Sequence, residues 1–201
     1  MTCNEQQFLK DVIEHQMTVL HEDLLYRHIR FKQPDSMHQH FDLITWPGYL
    51  CYTGDMGTFV FRRLDDMFTF FRRPLDAKYG IDFRYWAEKC EAEEKGEGIS
   101  QYSPEKFKTA IVDWLDQNDA SVELREAVVK EVLNHADDDE RDAIQAAIDF
   151  EFKGRQVFQD FWEVNVHEYT PRFVWCCHAL VWGIQKYDDY CRNHSIEEVH
   201  A

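Results

Sequence analysis

Apolar residues recur along the chain in two rhythms, and the switch between them marks its elements. Phe8/Leu9, Val12/Ile13, Met17, Leu20 and Leu24 recur at spacings of three and four. That spacing predicts a helix over most of the first thirty residues, with Asn4 as its N-cap. From Arg27 the period shortens. Ile29 and Phe31 alternate with charged residues until Pro34-Asp35, which predicts a short strand over 27–32. Residues 40–62 are the clearest β region. HFDLITW alternates, Pro47-Gly48 turns, YLCYT follows, Gly54-Asp55-Met56-Gly57 turns again, and TFVFRR completes the pattern. Three strands joined by tight glycine-containing turns make a meander. Gly54 and Gly57 supply the positive φ such turns require.

Beyond residue 63 the pattern predicts helices throughout. Leu64, Met67, Phe68 and Phe71 share one face up to Pro74, and a break follows at Tyr79-Gly80. Phe83, Trp86, Ala87 and Cys90 form the next face, and Gly96 to Tyr102 reads as a loop. Ser103-Pro104 is a capping hydroxyl followed by proline, a strong helix start. Phe107, Ala110, Ile111, Trp114 and Leu115 then hold the helical period until Asn118-Asp119. A second helix turns Leu124, Val128, Val132 and Leu133 inward. A third begins at Asp137 to Glu140, whose carboxylates suit a helix N-terminus; Ile144, Ala147, Ile148 and Phe152 face inward. Gly154 breaks the chain, and Val157, Phe158, Phe161 and Trp162 continue an apolar face. Thr170-Pro171 repeats the cap-and-proline signal. It opens the most apolar helix, with Phe173, Val174, Cys177, Leu180, Val181, Ile184 and Tyr187 at the centre of the core. The tail from Asn193 is polar and expected to fray.

The fold class is therefore α+β: a small N-terminal antiparallel β-meander of three or four strands packed by a largely helical remainder. The expected organisation is a single domain over 1–201, with a division into 1–95 and 96–201 as the alternative. Composition supports a folded chain. It is 44% hydrophobic and 15% aromatic, and disordered chains lack such core material. No apolar run approaches the length of about 18 residues that spans a bilayer. Phe173 to Ile184 is too short and carries His178 and Gly183. MTCNEQQFLK lacks a basic stretch followed by an apolar one, so no secretory leader is expected. The six cysteines then read as reduced, mostly buried thiols of a cytoplasmic protein.

Charge changes the picture most. The formal net charge is −16. Proteins that grip nucleic acid or an anionic membrane need a basic face. Neither fits the whole chain, so direct nucleic-acid binding and membrane binding are not expected. The charge is also uneven. Residues 60–84 hold 6 basic and 4 acidic side chains, and residues 88–151 hold 7 and 19. Most of the excess thus sits on predicted helices, preceded by a short basic stretch. Such asymmetry marks either a partner-facing surface or a solvated acidic face.

Chemical motifs are scarce. There is no phosphate loop of either glycine-rich type. C-x-x-C and H-E-x-x-H are absent, so neither a metal nor a cofactor is expected. His21 and His28, seven apart, would share a helical face, and His38 and His40 would share a strand face. Cys51 reads as core, and no serine sits in a nucleophile elbow. The acid pairs Asp65-Asp66 and Asp188-Asp189, and the run Asp137 to Glu140, could hold Mg²⁺. The first and last are equally explained as helix N-terminal acids, whereas Asp188-Asp189 falls near a predicted helix end. No catalytic residue is assigned. Residues 40–86 are rich in aromatics. Phe68 and Phe71 are expected to cap one sheet face. The other face is either covered by later helices or forms a patch with Arg62, Arg63, Arg72 and Arg73 at its rim and Asp55 at a loop tip.

HFDLITWPGYLCYTGDMGTFVFRRLDDMFTFFR, residues 40–72, resembles a segment of small uncharacterised phage and prophage proteins. RFVWCCHALVWGIQKYD, residues 172–188, is similar to the late segment of that group. The resemblance implies a phage accessory product working inside a bacterial host cell and carries no catalytic residue. Together with the acidic block it leads to a non-enzymatic interaction protein, an inhibitor of a bacterial antiviral defence system such as CRISPR. Its partner would be a host defence protein with a basic surface. Carboxylates would lie where phosphates otherwise lie, and the face expected to supply them is Asp113, Asp116, Glu123, Glu126, Glu131, Asp137, Asp138 and Asp139. Two alternatives stand beside it. One is a Mg²⁺-dependent enzyme acting on nucleotides or nucleic acid. The other is an accessory subunit of phage replication or recombination, to which self-association as a homodimer belongs.

Overall fold

The computed structural model describes residues 3–72 and 80–199, with side chains up to residue 194. The fold is α+β. The chain divides into two compact units, Met1–Ile99 with Tyr169–Ala201, and Ser100–Glu168. The late apolar helix, which a division at 95/96 assigns to the helical part, belongs with the sheet.

The first unit is built on a six-stranded antiparallel sheet with its strands in chain order. They are β1 (Gln16–Asp23), β2 (Tyr26–Lys32), β3 (Phe41–Trp46), β4 (Tyr49–Gly54), β5 (Gly57–Arg62) and β6 (Cys90–Glu93). The meander of β3, β4 and β5 follows the sequence expectation closely. Pro47-Gly48 closes one hairpin, with φ +86° at Gly48, and Asp55-Met56 closes the next. Gly54 is required by close approach, since a Cβ there would lie 2.2 Å from the His40 carbonyl oxygen.

The long N-terminal helix is corrected. Helix α1 covers only Glu5–Asp11, capped by Asn4, whose Oδ1 accepts from the Gln7 N–H at 2.9 Å. Met17, Leu20 and Leu24 lie in β1 and its turn. β1 pairs with β2 from Gln16↔Lys32 to Asp23↔Tyr26, with a bulge at Leu20. Sheet pairing overrides a spacing that also suits a helix, because a ladder satisfies every backbone group on one side. β6 also replaces an expected helical face, so Cys90 pairs with Phe61 across two strands.

Alternation gives the sheet two faces. Ile29, Phe31, Phe41, Leu43, Leu50, Tyr52, Phe59 and Phe61 point inward and are fully buried. Phe8 of α1, Phe68 and Phe71 of α2 (Met67–Phe71), Trp86 of α3 (Phe83–Ala87), and Phe173, Cys177, Leu180 and Ile184 of α7 (Pro171–Val199) complete this core. α7 is the central helix anticipated from its composition. The Thr170 hydroxyl donates to the Gly98 carbonyl at 2.8 Å and accepts from the Phe173 N–H at 3.1 Å, so the cap also ties the helix to a loop.

The second unit carries α4 (Pro104–Gln117), α5 (Val122–Glu131) and α6 (Glu140–Asp149), capped by Ser103, Ser121 and Asp139. Two short strand pairs join them: β8 (Glu151–Phe152) with β9 (Arg155–Gln156), and β7 (Ser100–Tyr102) with β10 (His167–Tyr169). The expectation of helices alone beyond residue 63 is corrected at these four strands as well as at β6. The β8–β9 hairpin turns at Lys153-Gly154, both at positive φ, where a break was expected. Phe107, Ile111, Leu115, Val128, Val132, Ala147, Phe158 and Phe161 form a separate core. Trp162, expected on that apolar face, is instead 61% exposed.

Candidate functional site

The second unit holds 7 basic against 17 acidic side chains, a net charge of −10. All eight carboxylates of the expected acidic face are exposed. Amphipathic helices cause this directly. α4 buries Phe107, Ile111 and Leu115, and α5 buries Val128, so Asp113, Asp116, Glu123 and Glu126 turn outward.

Exposure does not make the eight equivalent, because five have local partners. Asp116 meets Arg125 at 2.7 Å, Glu123 meets Lys153 at 3.0 Å, Asp137 meets Lys108 at 3.0 Å and Asp138 meets His135 at 2.9 Å. Asp139 caps α6, accepting from the Asp142 N–H at 3.1 Å. Asp113, Glu126 and Glu131 have no hydrogen bond or ion pair with a described residue and present their charge undiminished. Glu126 lies between Val122 and Val129, at i, i+4 and i+7 of one helical face. Those valines are 71% and 52% exposed. The outward face of α5 is thus a carboxylate flanked by apolar side chains, chemistry that suits a protein partner.

Among the described residues of the expected hairpin patch, Asp55, Arg62 and Arg72 are not brought together. Asp55 lies in the turn before β5 and Arg62 at the far end of that strand, about 17–20 Å along it at roughly 3.3 Å per residue. Asp55 accepts from the Gln39 N–H and so fixes the β2–β3 loop. The Arg62 guanidinium lies 5.3 Å over the Tyr49 ring, which stacks on Trp46 at 5.2 Å. Arg72 lies on the helix side of the sheet and pairs with Asp188 at 2.8 Å. Arg63 is exposed, and Arg73 lies outside the described residues. Both faces of the Tyr49 ring are occupied within the chain, which leaves no face there for a nucleobase.

On the outer sheet face His28, Ile44, Trp46, Tyr49, Cys51, Val60 and Arg62 are half-buried or exposed, whereas the four helices of this unit pack on the inner face. Cys51 is therefore corrected from core to outer face. Asp42 is the exception in being buried there, held by Arg30 through two hydrogen bonds of 2.9 and 2.8 Å and by His28 at 2.7 Å. Burial pushes its carboxyl pKa up. The hydrogen bonds and charges of Arg30 and His28 outweigh burial and hold it below the usual range. Sequence reasoning missed this cluster. Its signal was the register itself, since Arg30 and Asp42 are directly opposed.

Other candidates also move. His21 and His28 are cross-strand partners, not neighbours on a helix. His38 and His40 precede β3 in a turn, 3.9 and 3.6 Å from Asp55. Asp66 caps α2. Asp188 and Asp189 sit within α7 rather than near its end, paired with Arg72 and Arg192. Among the described residues no group of three or more His, Cys, Asp or Glu is arranged to hold a metal ion. Burial raises the Cys176 and Cys177 thiols well above their ordinary pKa and raises Cys90 to about 11, so these thiols are protonated at neutral pH. No described helix is long and apolar enough to cross a membrane. No protein-family model, curated protein or solved structure matches the chain.

Proposed function

We propose that this chain is a non-enzymatic interaction protein whose helical unit docks its carboxylates onto a basic protein surface that otherwise takes nucleic-acid phosphates. The observation that carries the proposal is the −10 charge of residues 100–168, with Asp113, Glu126 and Glu131 unpaired among the described residues and exposed valines beside Glu126. Carboxylates speed encounter with a cationic surface, and apolar contacts slow release. The resemblance of residues 40–72 and 172–188 to small phage proteins suggests the class of partner, a nucleic-acid-handling defence protein of the bacterial host.

The test is a pull-down from bacterial lysate at about 50 and 300 mM salt, with D113K/E126K/E131K as control. The captured protein is then challenged with single- and double-stranded DNA and RNA. The expected result is a partner that nucleic acid displaces, bound at least about tenfold more weakly by the triple variant and in high salt. Binding indifferent to both salt and charge reversal, or undiminished by nucleic acid, overturns the proposal.

A further inference from the structure

The first unit contains a cavity of about 600 Å³ between α1 and α7, half open to solvent and bordered on a third side by Gly80, Ile81 and Phe83. Its size lies in the range of small-molecule sites, about 300–1,000 Å³. It exists because one face of α7 lacks full cover. Val174, His178, Val181 and Gln185 recur at helical spacing, and all four are half-buried or exposed while the sheet-facing side of α7 is buried.

The two ends of the cavity differ. Phe83 lies 6.0 Å from Tyr169 and 6.1 Å from His178, so one end is aromatic. At α1, Asp11 accepts from the Trp175 indole N–H at 3.0 Å, whereas Phe8 packs on His178 at 5.8 Å and Trp182 at 6.2 Å. Moving back along α1 thus means moving forward along α7. This antiparallel course brings Asn4 and Glu5 to the Gln185 end. Asn4 Oδ1 is committed to capping α1. Glu5 and Gln185 are exposed residues at the rim of the cavity, and neither side chain has a hydrogen bond or ion pair with a described residue. Lys186 lies 5.5 Å over the Trp182 ring and occupies one face of it. The Cys3 thiol, in the same wall, is raised to about 11 by burial and by Asp11, and adds no charge.

We propose that this cavity binds a small aromatic amine, its ring among Phe83, Tyr169 and His178 and its nitrogen donating to Glu5 and Gln185. Aromatic walls favour a planar ring by edge and stacking contacts. A carboxylate at one end selects a donor or a cation over an acid, and the net charge of −16 adds to that selection. The site is independent of the acidic helical unit.

Three probes with one ring read this chemistry directly: tryptamine, indole and indole-3-propionate, titrated into the full chain by calorimetry and ¹⁵N NMR. The expected order is tryptamine, then indole, then the acid, with shifts at the indole N–H of Trp182. E5Q is expected to bring tryptamine to within about threefold of indole and leave indole unchanged. V181W, and separately L9W, fill the cavity and are expected to abolish binding of all three. Leu9 is 46% exposed, so L9W keeps the test valid if V181W misfolds. The proposal is overturned if none binds at millimolar concentration, if the acid binds as well as the amine, or if a folded cavity-filling variant binds like the parent.

Discussion

At the scale of single residues, Asp42 decides most. It is a buried carboxylate on an otherwise half-open sheet face, opposed by Arg30 and bonded to His28. Removing one partner of such a cluster leaves a desolvated charge behind. The Arg30 side chain is 37% exposed, and water screens much of that penalty. Asp42→Asn is therefore expected to cost about 1–3 kcal/mol at pH 7, below the usual buried-pair range. The folded-state pKa is depressed. Its contribution is thus full above the unfolded value near 3.9 and disappears as pH falls through the lower folded value. Urea unfolding of parent and D42N checks this. The gap between them is expected to narrow as pH falls below the unfolded value near 3.9, and a gap of equal size at pH 7 and pH 3 would count against the account.

At the scale of elements, the sheet's grip on α7 passes through Gly183. A Cβ there would lie 3.0 Å from Leu43 Cδ1 and 3.2 Å from Phe31 Cε2. Both neighbours are fully buried and have nowhere to move. Alanine would gain about 1 kcal/mol of helix propensity but overpack the core at about 1–3 kcal/mol. Gly183→Ala is expected to destabilise on balance, by up to about 2 kcal/mol, and chemical denaturation that shows it equal to or more stable than the parent refutes the close approach. The elements legible in sequence were those whose ends carry their own chemistry. Pro47-Gly48, Ser103-Pro104 and Thr170-Pro171 do what turn and cap chemistry requires; of the two glycines flanking Asp55-Met56 only Gly57 takes the expected positive φ, +100°, and Gly54 is needed for close approach instead. β1 was not legible. Gln16–Asp23 is an edge strand whose alternation runs only from Gln16 to the bulge at Leu20, and Met17, Leu20 and Leu24 imitate a helical stripe. β6 is likewise polar and short. Outward placement of Asp113, Asp116, Glu123, Glu126 and Glu131 followed from helix periodicity, and that of Asp137 to Asp139 from the acids expected at a helix start. Their pairing with Lys108, Arg125 and Lys153 depends on tertiary neighbours that no local pattern encodes, whereas His135–Asp138 is a local i, i+3 pair.

At the scale of the whole molecule, the charge of −16 and the surface ion pairs respond to salt with opposite sign. Uncompensated like charges destabilise the compact state, and salt relieves them. Exposed pairs such as Lys153–Glu123 and Lys108–Asp137 stabilise slightly, and salt weakens them. The balance depends on pH. At pH 7 there are 38 acidic side chains against 22 basic ones, so repulsion dominates. Each exposed pair contributes only about 0–1 kcal/mol in opposition. Near pH 5 the chain approaches its pI of about 4.9. Repulsion is then largely cancelled and the ion pairs persist. Raising salt from about 0.01 to 0.1 M shortens the screening length from about 30 to 10 Å. That step is expected to raise the melting temperature at pH 7 by a few degrees, and to leave it unchanged or lower it near pH 5. Dilute samples followed by tryptophan fluorescence avoid the low solubility that comes with small net charge. A rise of equal size at both pH values would mean that salt acts through the apolar core and not through charge.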